Sequence, residues 1–293
     1  MSAIFLLAAT IFLQTSPDPN RLPIGTPGEV TVQTGQLLNA RTARIASVSE
    51  VVKASENVRF LLLGESHTSP QHHKMQADII DAVASTGRPV VVGFEMFTRP
   101  IQDELNPWTM GWWTEDEFIQ KADWKKQWGF DYALYRPVFE TIRSHKIPMI
   151  ALNVPRSWPH DVAMKGPKGL TEEQQKQIPP LDLTNSSHRK IFDALTGGHP
   201  MGPVTPDNMY AAQVLWDTSM ADSAVKYLDS HSMPSNTLVI ILAGAGHVAY
   251  GQGINYRLSQ RNAGPSLSVV MVDAEDKATV SRGLGDFVYA SHP

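Results

Sequence analysis

Two histidines in this chain sit in the same local setting, a run of apolar residues ending in Gly-x-x-His. Phe60-Leu61-Leu62-Leu63 leads into Gly64-Glu65-Ser66-His67, and Leu238 to Ala243 leads into Gly244-Ala245-Gly246-His247. Imidazole exchanges protons near neutral pH and is a common metal ligand. Two carboxylates and a guanidinium occupy comparable places: Glu65 beside His67, Glu95 at the end of Val90 to Met96, and Arg156 just after Ile147 to Asn153. A carboxylate at the end of an apolar run must be paired, hydrogen-bonded or metal-bound. Two chemistries suit the set. His67, Glu95 and His247 are candidate ligands for zinc, manganese or another divalent metal with an open position for water, Glu65 serving as general base. Without a metal, Glu65, His67, Glu95, Arg156 and His247 form a catalytic acid–base set for an ester or amide. Arg156 can alternatively clamp a carboxylate or propionate bidentately. Gly-x-x-His alone is a frequent pattern; its repetition after two apolar runs carries the reading.

These residues need elements that bring them together. Short continuous apolar runs bounded by turn residues predict strands covered on both faces, and ligands of open α/β sheets bind where such strands end. The predicted core strands are Val58 to Leu63, Val90 to Met96, Ile147 to Asn153, Leu238 to Ala243 and Leu267 to Val272. Ser69 and Pro70 predict a helix start, as N-cap and first helical residue, just after His67. Helices are also expected over 37–56, from Tyr135 to about His145, and from an Asp207 cap through Leu228. The alternation predicts an α/β fold, a mainly parallel central sheet flanked by helices, with an aromatic-rich helical insertion or cap. One domain is expected over 41–293, with insertions at about 100–135 and 160–207, after an extended leader at 21–40. The tail after Val272 is expected to form an edge element. Five of the seven tryptophans, Trp108, Trp112, Trp113, Trp124 and Trp128, fall in the first insertion; they either wall a pocket for a flat ligand or simply pack a small helical unit.

Composition removes several function classes. The chain has 293 residues, 42% hydrophobic and 18% charged, and a formal net charge of -4, so it can bury a sizeable core and offers no basic surplus for nucleic acid. With no cysteine it has no disulfide, thiolate zinc site, iron–sulfur cluster or cysteine nucleophile. No Gly-x-Ser-x-Gly elbow is present, and Gly244-Ala245-Gly246 lacks dinucleotide-site spacing. Ala3 to Leu13 is too short to span a bilayer but suits a signal-peptide core, although no Lys or Arg precedes it. Residues 1–20 are therefore expected to be a signal peptide of an exported, periplasmic or envelope-associated protein that is not lipidated and has no transmembrane span.

The residues also resemble a known family. Leu63-Gly64-Glu65-Ser66-His67 with His72-His73, then Gly93-Phe94-Glu95-Met96-Phe97, Ala151 to Arg156, Gln213-Val214-Leu215-Trp216-Asp217 and Gly244 to Ile254 together are similar to the ChaN-like haem-binding family, in the same order over about Phe60 to Val272. That family shares a superfamily with Tiki metalloproteases and erythromycin-esterase-like enzymes. The resemblance implies haem as cofactor, a role in bacterial haem or iron uptake, and homodimerisation on haem binding, with a tyrosine on iron and a histidine near the propionates. Tyr250 and Tyr210 are the candidate ligands, and His199 belongs to the loop beside Tyr210. The enzymes of the superfamily imply instead a hydrolase using His67, His247, Glu95 and Arg156.

Overall fold

A computed structural model describes residues 17–200 and 202–293; the expected signal-peptide core Ala3 to Leu13 lies outside the described residues. In chain order the elements are β1 (Glu29–Gln33), β2 (Leu37–Asn39), β3 (Arg44–Ala46), α1 (Val48–Ser55), β4 (Phe60–Glu65), α2 (Pro70–Ala84) and β5 (Val90–Thr98). Then follow α3 (Asn106–Thr109), α4 (Glu115–Lys121), α5 (Trp124–Gln127), α6 (Tyr132–Ser144), β6 (Met149–Asn153) and α7 (Ser157–Lys165). The chain closes with α8 (Glu172–Gln175), α9 (Ser186–Thr196), α10 (Pro206–Ser230), β7 (Leu238–Gly244), α11 (Ile254–Gln260), β8 (Ser266–Asp273), β9 (Lys277–Ser281) and β10 (Phe287–Ser291).

Eight strands form one sheet in the order β3-β2-β10-β8-β4-β7-β5-β6. From β10 to β6 all pairings are parallel, whereas β2 runs antiparallel to β10 and to β3. The fold is thus the mainly parallel α/β architecture read from the sequence. Every residue of β4, β5, β6 and β7 is buried, which explains why they are mostly apolar, the polar residues Glu65, Glu95, Thr98 and Asn153 falling toward their carboxyl ends. Alternate residues serve opposite faces. Leu61, Leu63, Val92, Phe94, Ile240 and Leu242 meet α2, α6 and the aromatic insertion; Leu62, Val91, Val239, Ile241 and Ala243 meet α10 and α11. Between Phe94 and Thr98 the register of β5 against β6 shifts, so the segment holding Glu95 departs from regular pairing at the sheet's carboxyl edge.

Four expectations are corrected. Residues 37–56 are not one helix: β2 and β3 precede α1, because Leu37 and Leu38 are buried by pairing with β10. The tail is not an edge element, since β10 lies inside the sheet between β8 and β2. The long helix begins at Pro206 with Thr205 as its cap, two residues before the expected Asp207, and α6 begins at Tyr132, capped by Asp131, with Pro137 inside it. The Ser69 cap and Pro70 start stand as read, Ser69 Oγ accepting from His72 N–H at 3.4 Å.

Candidate functional site

Glu65 is the last residue of β4 and is in phase with Leu61 and Leu63, so its carboxylate enters the layer beneath α2 and α6. There His67 Nδ1 lies 2.7 Å from Oε1, His73 Nε2 lies 3.1 Å from Oε2, and Tyr135 Oη donates to Oε1 at 3.2 Å. A carboxylate only accepts, so both imidazoles turn an N–H toward it. Burial pushes the Glu65 carboxyl up, but the hydrogen bonds from His67 and His73 outweigh it and hold it at about 2. His67 is consequently fixed in orientation, its ring edge-on to Trp128 at 4.6 Å, with its side chain 32% exposed. Burial lowers its pKa, yet Glu65 and Glu95 bring it above the ordinary imidazole value.

His247 is held at both nitrogens. It follows β7 in a 3-10 turn over Ala245–His247. Its Nδ1 lies 2.6 Å from Asp217 Oδ1 and 3.0 Å from Gln213 Nε2, and its Nε2 lies 3.3 Å from Glu95 Oε1. Gln213 and Asp217 are i and i+4 on α10 and so face His247 together. Asp217 is fully buried, with His188 Nε2 at 3.0 Å and Arg257 Nη1 at 3.6 Å as further partners. Burial alone would lower the His247 pKa; Glu95 and Asp217 instead raise it to about 10. Glu95 is pushed up by burial, but His247 and the Gly244 N–H, which donates to Oε2 at 2.7 Å, pull it below the carboxylate range. Glu95 does not pair with Arg99, whose partner is Asp222 at 3.0 Å.

Above this floor opens a cleft of about 790 Å³ bordered by His67, Glu95 and His247, with Trp128, Phe130, Phe192 and Trp216 as aromatic walls. Arg156 and His160, both exposed, also border it. Arg156 Nη2 donates to the carbonyls of Gln127 and Trp128, so it buttresses the aromatic segment and pairs with no carboxylate among the described residues. A chamber of about 340 Å³ adjoins the cleft, sharing His67 and His247 and including Glu65, Ser66 and His188. Ser66 Oγ donates to Asp273 Oδ2 at 2.8 Å, as befits a turn residue.

The structure therefore brings His67, Glu95, His247 and Arg156 to one cleft, with Glu65 behind His67. It does not bring the tyrosines there. Tyr250 Oη donates to Pro19 O at 2.8 Å and accepts from Leu22 N–H at 2.9 Å, tying down the leader. Tyr210 Oη contacts His188 Nδ1 and Asn185 O, each at 3.2 Å. Burial pushes both phenols up to about 12, which opposes the tyrosinate an iron ligand requires. His199 is exposed on the turn after α9 and does not border the cleft. The divalent-metal expectation gains no support. Among the described residues no three His, Asp or Glu side chains converge to hold a metal ion: the nitrogens and oxygens of His247 and Glu95 that such an ion needs are spent on each other, on Asp217 and on Gly244 N–H. Unassigned in the sequence were His73, Tyr135, His188 and the role of Asp217. The i,i+4 polar pair Gln213/Asp217 within the buried stripe of α10 was a legible signal; His188 gave none.

The fold and this floor define a class: an α/β protein with a cleft at the carboxyl ends of its parallel strands, the place where such folds hold their ligands. Residues 51–258 match the family described as haem-binding uptake, Tiki superfamily, ChaN, and the chain belongs to it. Its structure is similar to that of ChaN of Campylobacter jejuni, described with cofacial haem binding, with a TM-score of 0.68 at 20% identity over 86% of this chain and 95% of that one; this likeness shows the fold. An erythromycin esterase, EreC, in its open conformation is similar with a TM-score of 0.46 at 11% identity, over 82% of this chain and 76% of that one. A curated relative, the chloroplastic Protein RETICULATA-RELATED 5 of Arabidopsis thaliana, is 23% identical over 80% of this chain, which spans only 34% of that protein's length.

Proposed function

We propose that this chain binds haem in the 790 Å³ cleft and serves haem or iron uptake in the bacterial envelope. The observation that carries the reading is the cleft. Its volume lies within the range of small-molecule sites, and Trp128, Phe130, Phe192 and Trp216 offer flat apolar faces to a planar ring. Among the described residues Arg156 hydrogen-bonds through Nη2 alone, leaving guanidinium N–H groups to pair with a propionate. Haem supplies the iron; the protein supplies walls, a charge clamp and an oriented imidazole. Family membership supports the choice of ligand, and the apolar run Ala3 to Leu13 supports export. Phe130 and Leu195, 37% and 50% exposed beside the two chambers, support a second copy covering the opening when haem is bound.

A second reading is favoured by one specific observation, the carboxylate behind each floor imidazole. Glu65 locks His67 and Asp217 locks His247, an arrangement suited to general acid–base hydrolysis of an ester. His67, which borders the cleft and accepts a proton only at a pH above its raised pKa, would take one from water, and His247, held protonated, would give one to the leaving oxygen. Titration with ferric haem and an ester-turnover assay on the same preparation separate the two. A saturable, stoichiometric Soret shift is expected; a spectrum that stays that of free haem would overturn the haem reading. Turnover that persists in both His67→Ala and His247→Ala would overturn the hydrolytic one.

A further inference from the structure

Resting on the haem reading, we propose that His67, not a tyrosine, ligates the iron in this chain, with Glu65 as its orienting partner. None of the seven tyrosines borders the cleft, and the hydroxyls of Tyr210 and Tyr250 are committed to the hydrogen bonds that hold α9 and the leader. Three imidazoles do border it: His67, His160 and His247. His247 has both nitrogens engaged, by Asp217 and Gln213 on one side and Glu95 on the other. His160 is exposed, and its ring makes no hydrogen bond among the described residues. Of these three, and among the described residues, only His67 combines an Nδ1 hydrogen-bonded to a carboxylate with an Nε2 that no side chain engages.

The surroundings of His67 suit the task. A buried carboxylate receiving the N–H of a ligating imidazole sets the tautomer, leaves the Nε2 lone pair for the metal and makes that nitrogen a stronger donor. Glu65 Oε1 stands in that position at 2.7 Å, itself steadied by His73 and Tyr135. The imidazole lies against the bare backbone of Gly244, where a Cβ would come within 2.8 Å of its Cε1 and 3.2 Å of its Nε2. Trp128 packs edge-on against the ring, so its plane is set before any ligand arrives. A ligand backed by a carboxylate favours the ferric state, because the extra electron density on the imidazole stabilises the higher charge.

Ferric haem is added to the full chain and to His67→Ala, His160→Ala, Tyr210→Phe, Tyr250→Phe and Glu65→Gln, and read by absorbance, electron paramagnetic resonance and resonance Raman. The expected result is an iron–imidazole signature in wild type that disappears in His67→Ala and returns when free imidazole is added, which also shows that the variant is folded. His160→Ala and both tyrosine variants keep the wild-type signature. Glu65→Gln keeps the ligand but weakens the iron–nitrogen stretch and raises the reduction potential. An unchanged signature in His67→Ala, or a tyrosinate signature lost in either tyrosine variant, overturns the assignment while leaving haem binding intact. A free-haem spectrum in wild type overturns both the assignment and the haem reading beneath it.

Discussion

The imidazole of His247 and the carboxylate of Glu65 hold their charges over opposite ends of the pH range. His247 has its pKa raised to about 10 from an ordinary 6.5. A raised folded value means that the folded chain holds this proton more tightly, so the stabilisation is complete below pH 6.5 and is lost as pH rises toward 10. Glu65 is depressed to about 2 from an ordinary 4.5, so its contribution is present above pH 4.5 and is lost as pH falls toward 2. The melting temperature is therefore expected to be highest between these limits, at about pH 4.5 to 6.5, and to decline on either side. Asp217→Asn should flatten the alkaline decline, because it removes one of the two carboxylates that raise His247. A wild-type melting curve that does not change from neutral pH to pH 10 would rule out a charged His247. Glu65→Gln, by trading charge-assisted hydrogen bonds for neutral ones in a buried site, should cost about 1.5–3 kcal/mol in urea denaturation.

At the scale of elements, the site depends on how strand ends and helix starts are finished. Gly244 ends β7 with no side chain where His67 lies, and a Cβ there would meet Cε1 at 2.8 Å. Gly244→Ala is expected to keep the fold, since only a side chain must yield, while displacing His67. Ligand affinity or turnover should fall roughly tenfold to a hundredfold, the usual consequence of misplacing a reacting group by about an ångström; affinity within twofold of wild type would contradict the packing argument. Ser69→Ala removes the cap of α2 and should cost about 1 kcal/mol, measured by denaturant titration. The central strands and this cap were legible because each is local: an apolar run buried on both faces, and a Ser-Pro step with one satisfactory geometry. β2 and β3 were not, since three-residue strands carry no readable periodicity and exist here through pairing with β10 and with each other. The misreading of residues 37–56 as helix follows from that.

Over the whole molecule, the leader is part of the fold. β1 pairs with β9, and Tyr250, in the left-handed region at φ 58°, reaches from the turn after His247 to hold Pro19 and Leu22. Tyr250→Phe should free the segment 17–24, seen as faster proteolysis and hydrogen exchange there, with the cleft's haem spectrum unchanged; equal protection in both proteins would refute the strap. The sequence by itself determined the chemistry on offer and the strands that carry it. Gly-x-x-His twice, Glu95 and Arg156 after apolar runs, and the absence of cysteine are local facts, and strand ends of a parallel sheet gather at one edge whatever the loops do. Only the tertiary structure decided what each group does with its neighbours. Asp217 is distant in sequence from His247 yet pairs with its Nδ1, with His188 behind it, Tyr210 and Tyr250 turn out to be struts, and His67 is left with the open nitrogen. Pairing in a buried site depends on which side chains exclude water together, and that is a property of packing across α2, α6, α9 and α10 that no single stretch of chain records.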